Sequence, residues 1–345
     1  MPSYFKFFAC CIPVKGFLRT VIYDLQRKQY CFIPNEIFDL LEDSNRIVIP
    51  VNSFPEFLNE VFDFLLEREF GFICTAEECE LFPQLDLEYE SFYDYDSMII
   101  DLDLGYSTVI NTFSNKNKNL LINALQLRLF FNPTISQLTD ILETFSALNI
   151  CSIEMIMPHS SQVNQGDLEN IVEGFEKVTS ISIFSSPIKE LLSYKQSSIN
   201  YMQETIVGES DCGKIDESFF CCNLLTFCES QKFNTCLNKK ISIDVKGNIK
   251  NCPSCKQTFG VIGQKPLVEL KDHLNFKRVW GVSKNQIDVC KDCEFRHMCT
   301  DCRAYIKDQS NTFSQPSKCN YNPYIAKWKG QEGYVSVEEW KSKNK

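Results

Sequence analysis

Twelve of the eighteen cysteines in this chain lie between Cys212 and Cys319, and this clustering constrains the fold more than any other feature. Closely spaced cysteines in a reducing compartment are more often metal ligands or redox groups than a disulfide framework. The sequence from about residue 204 onward also shows little hydrophobic periodicity, so we expect bound metal to supply part of its folding energy. The other six cysteines are typical of small buried apolar side chains: Cys10, Cys11, Cys31, Cys74, Cys79 and Cys151.

The composition argues against two classes of partner. The chain has 345 residues and a formal net charge of −10, so it carries no overall basic surface for nucleic acid. No stretch reaches the roughly 18 apolar residues that a membrane span needs, and the N-terminal segment lacks the long apolar region of a signal peptide. We therefore expect a cytoplasmic protein of two or three domains that binds neither nucleic acid nor membrane.

Residues 1–75 predict a small α+β unit in which strands come first and helices follow. Ser53 and Glu56 form a capping-box pair, and apolar side chains recur at helical spacing after them, so a helix is expected over 54–70 until Gly71 ends it. A final extended piece completes a winged-helix-like order. The strand-like runs are 5–14, 16–25 and 28–35, and a shorter helix is expected over 35–43.

Two segments of different character separate this unit from the cysteine-rich region. Residues 76–96 carry eight carboxylates and no Lys or Arg, which favours a solvated linker, with a docking surface for a basic peptide as the alternative. Residues 97–204 alternate strands with amphipathic helices, and the later strands recur about 27 residues apart. This spacing predicts βα units with a parallel sheet, and about four strands make a partial barrel. The expected fold class is α/β.

Two arrays of cysteines stand out in residues 205–345. In the first, Cys236 is followed by ten residues, Gly247, four residues and Cys252, and the alternating pattern around KGN predicts a hairpin whose turn uses the positive φ that glycine allows. The second runs Cys290-x2-Cys293-x5-Cys299-x2-Cys302, and Cys319 follows after sixteen further residues. A C-x2-C knuckle presents both sulfurs to one metal centre, so the arrays predict zinc or iron–sulfur ligation.

Together, the two arrays closely resemble the SPASM domain, the C-terminal extension of many peptide-modifying radical S-adenosylmethionine enzymes. Seven cysteines fit its pattern, with one departure, since two residues rather than three separate Cys299 from Cys302. The stretches CLNKKISIDVKGNIKNCPSC and CKDCEFRHMCTDCRAY are most similar to SPASM-domain peptide maturases of grasp-with-spasm systems. The resemblance is strongest over residues 205–320, and it implies modification of a ribosomally synthesised peptide alongside an ATP-grasp ligase.

SPASM domains usually hold two auxiliary [4Fe–4S] clusters, and the resemblance implies ligands for both by position. The implied ligands of one cluster are Cys290, Cys293, Cys299 and Cys319. Those of the other are Cys236, Cys252 and Cys302, with Cys228 as the preferred fourth ligand and Cys255 as its competitor. An open iron at the second site, or structural zinc at either site, is the alternative.

The motif that defines radical S-adenosylmethionine enzymes, C-x3-C-x2-C after the first barrel strand, is missing. No cysteine occurs between Cys79 and Cys151, so the initiating cluster cannot be built where the family would place it, and we do not expect this activity. Asp101 and Asp103 alternate on the first strand of the βα region. Their side chains either form a small polar site or, more simply, are paired with neighbouring residues at the strand end.

The remaining polar and thiol side chains give weaker signals. His297 lies inside the second array, where an exposed loop histidine is expected, and a cluster ligand or a donor to a cluster sulfur is the alternative. Cys212, Cys221 and Cys222 are candidates for redox chemistry or a third site, with unligated loop thiols as the alternative. No motif identifies a catalytic residue.

Three functions remain open at this point. The preferred one is a maturation factor that captures a ribosomal precursor peptide through residues 1–75, by adding a peptide strand to a sheet edge, and carries two auxiliary clusters. The second is a zinc-stabilised adaptor without redox chemistry. The third is a redox enzyme that uses an open iron on the cluster held by Cys236, Cys252 and Cys302.

Overall fold

The protein is described by a computed structural model that divides into two compact units. Unit 1 comprises residues 1–90, 214–235 and 282–345, and unit 2 comprises residues 91–213 and 236–281. The described residues are 3–41, 48–206, 208, 211–300 and 302–344. Within these ranges, every helix is too short or too polar to cross a membrane.

Sixteen strands and nine α-helices are numbered here in chain order. The strands are β1 (Ser3–Phe7), β2 (Cys11–Lys15), β3 (Thr20–Asp24), β4 (Gln29–Ile33), β5 (Val48–Pro50), β6 (Gly71–Thr75), β7 (Tyr95–Leu102), β8 (Ile122–Leu129), β9 (Ile150–Pro158), β10 (Val178–Phe184), β11 (Glu190–Ser193), β12 (Ser198–Tyr201), β13 (Lys240–Ile243), β14 (Ile249–Lys250), β15 (Tyr321–Asn322) and β16 (Lys327–Trp328). The helices are α1 (Asn35–Asp39), α2 (Asn59–Glu67), α3 (Ala76–Cys79), α4 (Tyr106–Lys116), α5 (Ile135–Ser146), α6 (Gln165–Gly174), α7 (Leu224–Lys232), α8 (Leu274–Lys277) and α9 (Val337–Lys343).

Unit 2 is built on an eight-stranded sheet with the strand order β11-β12-β10-β9-β8-β7-β13-β14. Strands β7 to β10 are parallel to one another, and α5 and α6 connect the last three of them, as the sequence predicts. The α/β class is therefore confirmed. Helix α4 between β7 and β8 is not predicted, because its sequence is largely polar and it buries only Val109, Ile110 and Phe113.

The predicted hairpin of the first cysteine array is present as β13 and β14. Gly247 has a φ of +79°, and the Asp244 side chain accepts hydrogen bonds from the backbone amides of Lys246 and Asn248, which fixes the turn. The sequence does not indicate that β13 also pairs with β7 in parallel. This pairing makes the segment around Cys236 and Cys252 part of the unit 2 sheet.

Unit 1 contains two antiparallel sheets of three strands, with the orders β5-β1-β6 and β2-β3-β4. The first sheet shares a core with α1 and α2. The second sheet buries Val21 and Tyr23 against Phe227 and Phe295 of the cysteine-rich region. Residues 1–75 therefore share a core with the second cysteine array, and a winged-helix character for them stays a prediction.

The predicted capping box of the second helix is wrong. Helix α2 begins at Asn59 after a 3-10 turn over Glu56–Leu58, and the N-cap residue Leu58 makes no side-chain capping bond. Pro55 accounts for the difference, because a proline disfavours helical backbone in the residue before it, and Phe54 is extended with ψ 116°. The helix therefore starts several residues later than Ser53 would allow.

The acidic segment 76–96 starts with α3, whose N-cap Thr75 forms a capping box with Glu78. It then continues without helix or strand until β7 begins. Two of its apolar side chains, Leu85 and Leu87, pack against the core of unit 1. This part of the acidic segment is therefore held against the protein and is not a fully solvated linker.

Replacing Gly71 by alanine is expected to destabilise unit 1 by about 1–3 kcal/mol, because the new methyl group overpacks the β1–β6 contact. A Cβ at Gly71 would lie 2.4 Å from the carbonyl oxygen of Lys6, and backbone cannot move away without breaking the strand pairing. The measurement is the free energy of unfolding in urea. Gly174→Ala is the matched control, since no atom apart from its chain neighbours and its own helix backbone lies within 4 Å of its Cβ position. Equal stability of the two variants would contradict this account.

Candidate metal centre

Four cysteine side chains of unit 1 line one cavity, which we call the thiol cavity. They are Cys290, Cys293, Cys299 and Cys319. The space between the lining atoms is about 410 Å³, including the part open to solvent. The SPASM resemblance assigns these four cysteines to one cluster, and the fold brings them together although 29 positions separate the first from the last. Their binding of metal stays a prediction.

The first two thiols of the cavity are held by a tight turn. Cys290 begins a 3-10 turn, and the backbone amide of Cys293 donates to the carbonyl oxygen of Cys290 at 3.0 Å. Val289 just before the turn has a φ of +70°, which is rare for a β-branched residue. Its side chain is buried against Tyr324 and Val337, and this packing holds the backbone that presents the knuckle.

Aromatic side chains form much of the remaining wall. Phe220, Phe295, Tyr321 and Trp328 all line the thiol cavity. Their rings are packed on one another, with 4.8 Å between the centroids of Tyr321 and Trp328 and 5.1 Å between those of Phe295 and Tyr321. An apolar wall limits water access and lowers the local dielectric, and both properties tune a bound metal centre.

One buried cation faces the sulfurs. The ammonium group of Lys284, which is 6% exposed, donates a hydrogen bond to the Cys299 sulfur at 2.8 Å and lies 3.4 Å from the Thr300 carbonyl oxygen. A positive charge at this distance would offset part of the negative charge of a metal centre ligated by thiolates. Lys284 was missed in the sequence analysis, because a lysine between two cysteine motifs carries no signal of its own.

Burial controls the acidity of the thiols. It raises the pKa of Cys293 well above its ordinary value, and the charges of Glu294, Cys290 and Cys319 raise it further. Burial followed by the charge of Cys299 raises the pKa of Cys319. Because these thiols are protonated at neutral pH in the absence of metal, ligation has to release their protons.

A fully buried carboxylate links the knuckle to the second N-terminal sheet. Glu294, next to Cys293, accepts from Arg19 Nε at 2.8 Å and from the Tyr321 hydroxyl at 2.5 Å. The Tyr23 hydroxyl donates to the Glu294 carbonyl oxygen at 2.7 Å. The sheet formed by β2, β3 and β4 therefore helps to position the metal-ligand candidates from outside the cavity.

The spacing of the sulfurs can be compared with that of a tetrahedral zinc site. Tetrahedral zinc with Zn–S bonds near 2.3 Å places its ligand sulfurs about 3.8 Å apart. Among the described residues, only Cys10, Cys11 and Asp24 bring three possible ligand atoms within 4.8 Å of one another. No three sulfurs of the thiol cavity all lie within 4.8 Å of one another, so they are more widely spaced than the ligands of a tetrahedral zinc ion, and the kind of centre stays a prediction.

The group of Cys10, Cys11 and Asp24 has its own cation. Arg27 Nε lies 2.5 Å from the Asp24 carboxylate, and the Arg27 backbone amide donates to the same side chain at 2.8 Å. Burial, with neighbouring charges, raises the pKa of Cys11 above the physiological range. A protonated thiol and an already neutralised carboxylate are poor metal ligands.

The ligands that the resemblance implies for a second cluster belong to different units. Cys236 and Cys252 lie in unit 2, whereas Cys228 and Cys302 lie in unit 1. The Cys228 sulfur is buried in α7, 4.0 Å from the carbonyl oxygen of Asp86. Ligation by this set stays a prediction. The competing candidate, Cys255, lies with its sulfur 3.6 Å from that of Cys252.

The expectation of an exposed His297 is wrong. The residue is 5% exposed, and its Nδ1 is 2.8 Å from the Ser230 hydroxyl oxygen. Burial, with the charges of Arg296 and Lys284, lowers the pKa of His297 to about 3, so the imidazole is neutral. The sequence carries no sign of this, because the burial depends on packing against α7 and Tyr23.

Asp101 and Asp103 are paired with neighbours, as the simpler interpretation predicts. Arg128 on the adjacent strand β8 donates from Nε and Nη2 to the two Asp101 oxygens at 2.6 and 2.7 Å, and both residues are buried. Asp103 accepts from the Gly105 amide at 2.8 Å. Both aspartates also line a polar cleft of about 1100 Å³ in unit 2, shared with Asp244.

The three remaining cysteine candidates differ in exposure. Cys222 is buried in unit 1, with its sulfur 3.1 Å from the Gln29 carbonyl oxygen, and it is an apolar packing residue of the core. Cys221 and Cys212 are exposed. Cys221 belongs to unit 1 and Cys212 to unit 2.

Comparison with protein-family profiles, with curated proteins and with solved structures finds no match to this chain. The residues of the thiol cavity and the SPASM resemblance of the two arrays are therefore the basis for assigning a function.

Proposed function

We propose that this chain is a maturation factor for a ribosomally synthesised peptide and that its thiol cavity holds a [4Fe–4S] cluster. One observation carries the proposal: the four cysteines that the SPASM resemblance assigns to one cluster line a single cavity. With four cysteine ligands, a bound cluster would supply electron transfer. The protein's own contribution is a restricted entry for water, a knuckle held by backbone packing, and a cation beside one sulfur.

The charge balance supports a cluster at this position. Four thiolates in an apolar cavity are costly unless cations neutralise part of their charge. Lys284 supplies one positive charge at hydrogen-bond distance from the Cys299 sulfur, and Arg296 also lines the cavity. These two cations would offset part of the charge that four thiolates bring to the cavity.

Replacing Lys284 by methionine is expected to lower the reduction potential of the bound cluster by tens of millivolts. Loss of the ammonium hydrogen bond removes stabilisation from the reduced, more negative cluster, and such a bond to a charged group contributes on the order of 1.5–3 kcal/mol. The measurement is a redox titration followed by electron paramagnetic resonance. Lys291→Met, which removes an equal charge outside the thiol cavity lining, should leave the potential unchanged. An unchanged potential in the Lys284 variant would contradict this role.

Capture of a precursor peptide requires an open sheet edge, and β6 is the better candidate in unit 1. The strand order places β5 and β6 at the two edges of the first sheet. Strand β5 has three residues and ends in Pro50, which has no amide hydrogen to donate. Strand β6 has five residues, no proline, and Ile73 with 50% of its surface exposed. Backbone pairing along β6 would supply affinity, and contact with the exposed Ile73 side chain would supply selectivity.

Ile73→Asp is expected to weaken binding of the precursor peptide about tenfold, because half an isoleucine side chain is worth roughly 1–1.5 kcal/mol when a ligand covers it. The measurement is fluorescence anisotropy with labelled short peptides encoded beside the gene for this chain. Ile188→Asp is the matched control, with similar exposure in unit 2. If both variants bind like the parent, capture by β6 is wrong. Deletion of residues 1–75 is unsuitable, since it removes Tyr23 from the core around the cysteine array.

A zinc-stabilised adaptor without redox chemistry is the second candidate function. It is favoured by the Cys252–Cys255 pair, whose sulfurs are as close as tetrahedral zinc requires. Co-purification of partner proteins distinguishes the two functions. A maturation factor should co-purify with an ATP-grasp ligase and a precursor peptide expressed together with it, whereas a generic adaptor should not depend on the precursor.

A further inference from the structure

Two buried thiols of unit 1 lie in contact outside the thiol cavity. Cys74 is on β6 and Cys79 is the last residue of α3, and their sulfurs are 3.2 Å apart. The two residues are 5% and 7% exposed. Because the S–S bond of a disulfide is about 2.0 Å long, an approach of about 1.2 Å is enough to join these sulfurs.

The pair joins a strand to a short helix. Cys74 and Val48 point to the face of the β5-β1-β6 sheet opposite to the one that packs on α2, and Cys79 completes a small buried cluster with them. Helix α3 is a single turn of four residues, held by its capping box and by the packing of Cys79. A helix of this length is not stable alone, so we expect α3 to open locally more readily than the sheet.

The position of α3 determines what covers this face of the sheet. Phe82 follows α3 and packs against Phe72 of β6, with 4.8 Å between the ring centroids. Phe72 in turn packs against Phe8, with 5.2 Å between the centroids. A bond between Cys74 and Cys79 would hold α3, and with it Phe82, over these aromatic side chains.

We propose that Cys74 and Cys79 form a reversible disulfide that fastens α3 to β6, with a low-molecular-weight disulfide as the oxidant. One protein thiolate attacks the small disulfide, which gives a mixed disulfide and releases one small thiol. The second protein thiolate attacks the protein sulfur of that mixed disulfide and releases the other small thiol. The protein pair loses two electrons and two protons, and the small disulfide gains them.

The character of the two thiols indicates a slow, reversible reaction. Burial, with the hydrogen bond and charge of Cys79, raises the pKa of Cys74 to about 12. Because only a thiolate attacks a disulfide, and because α3 has to open before the reagent can reach either sulfur, oxidation at neutral pH is expected to take minutes to hours. In reducing compartments such disulfides are usually transient and redox-sensing. The proposal is independent of the peptide-maturation role, because disulfide formation is a property of the purified chain.

The test is incubation of the full chain with oxidised glutathione, followed by alkylation of the remaining thiols and peptide mass spectrometry. The expected product is a Cys74–Cys79 link, two hydrogens lighter than the dithiol, which dithiothreitol returns to two thiols. Cys222, buried in the same unit with its sulfur 3.1 Å from the Gln29 carbonyl oxygen, should stay a thiol. If Cys74 and Cys79 are both alkylated while the exposed Cys151 carries glutathione, the proposal is wrong.

A second measurement reports the position of α3. A glutamate-specific protease should cleave after Glu80, next to α3, about tenfold more slowly in the oxidised chain, because cleavage follows the population of the open state. Cys79→Ser should lose this effect of oxidised glutathione, and Cys151→Ser, which changes an exposed thiol of unit 2, should keep it. Equal cleavage of the oxidised and reduced parent chain would overturn the fastening of α3.

Discussion

Cys319→Ser is expected to remove the cluster of the thiol cavity, with loss of about four irons and four sulfides per chain and of the brown visible absorbance. Cys319 is the most distant of the four ligand candidates in sequence, and it closes the cavity just before β15. Because bound metal is expected to supply folding energy to this periodicity-poor region, the midpoint of thermal unfolding should also fall by several degrees.

Cys31→Ser is the matched control for this experiment. Cys31 is a half-buried cysteine of unit 1 on β4, and its side chain belongs to the core of the first sheet rather than to the thiol cavity. It should retain the full iron content and absorbance. If Cys319→Ser keeps its iron, or if Cys31→Ser loses as much, the four-cysteine assignment of the cavity is wrong.

Arg128→Met is expected to lower the free energy of unfolding of unit 2 by about 3–5 kcal/mol. The substitution takes the bidentate guanidinium away from Asp101 and leaves a carboxylate on a strand where it is 5% exposed. Removing one partner of a buried ion pair is among the costliest single changes in a folded protein. Urea unfolding followed by fluorescence and circular dichroism measures the effect.

The double variant Asp101→Leu with Arg128→Met is the control, because it removes both charges together. Replacing a buried ion pair by apolar side chains of similar volume is often close to neutral. The double variant should therefore be more stable than Arg128→Met alone. If the double variant is the less stable of the two, the explanation by loss of the cation beside a buried carboxylate is wrong.

Local patterns predicted the βα region well, and non-local contacts explain what they missed. Strands β8 to β10 and helices α5 and α6 follow from alternation and helical periodicity, which are properties of neighbouring residues. The parallel pairing of β13 with β7 joins positions about 140 residues apart, and no local pattern encodes it. The late start of α2, by contrast, has a local cause that the sequence already contains. Pro55 disfavours helical backbone at Phe54, and this effect overrides the apparent capping box.

The candidate site likewise has some features that local sequence patterns indicate and others that depend on tertiary packing. Cysteine spacing alone indicates the knuckles, and the resemblance supplies the grouping of Cys290 with Cys319. The buried lysine at the Cys299 sulfur, Lys284, depends on tertiary packing and leaves no trace in the sequence. His297 illustrates the opposite error, because a polar residue in a loop-like stretch is buried by α7 and by β3.

The most direct test of the central claim is iron and acid-labile sulfide analysis of the chain purified without oxygen, together with its visible spectrum. A thiol cavity that binds a cluster predicts at least about four irons and four sulfides per chain and broad brown absorbance that dithionite bleaches. A colourless protein with full occupancy by zinc and no sulfide would contradict the cluster and leave the zinc-stabilised adaptor as the better account.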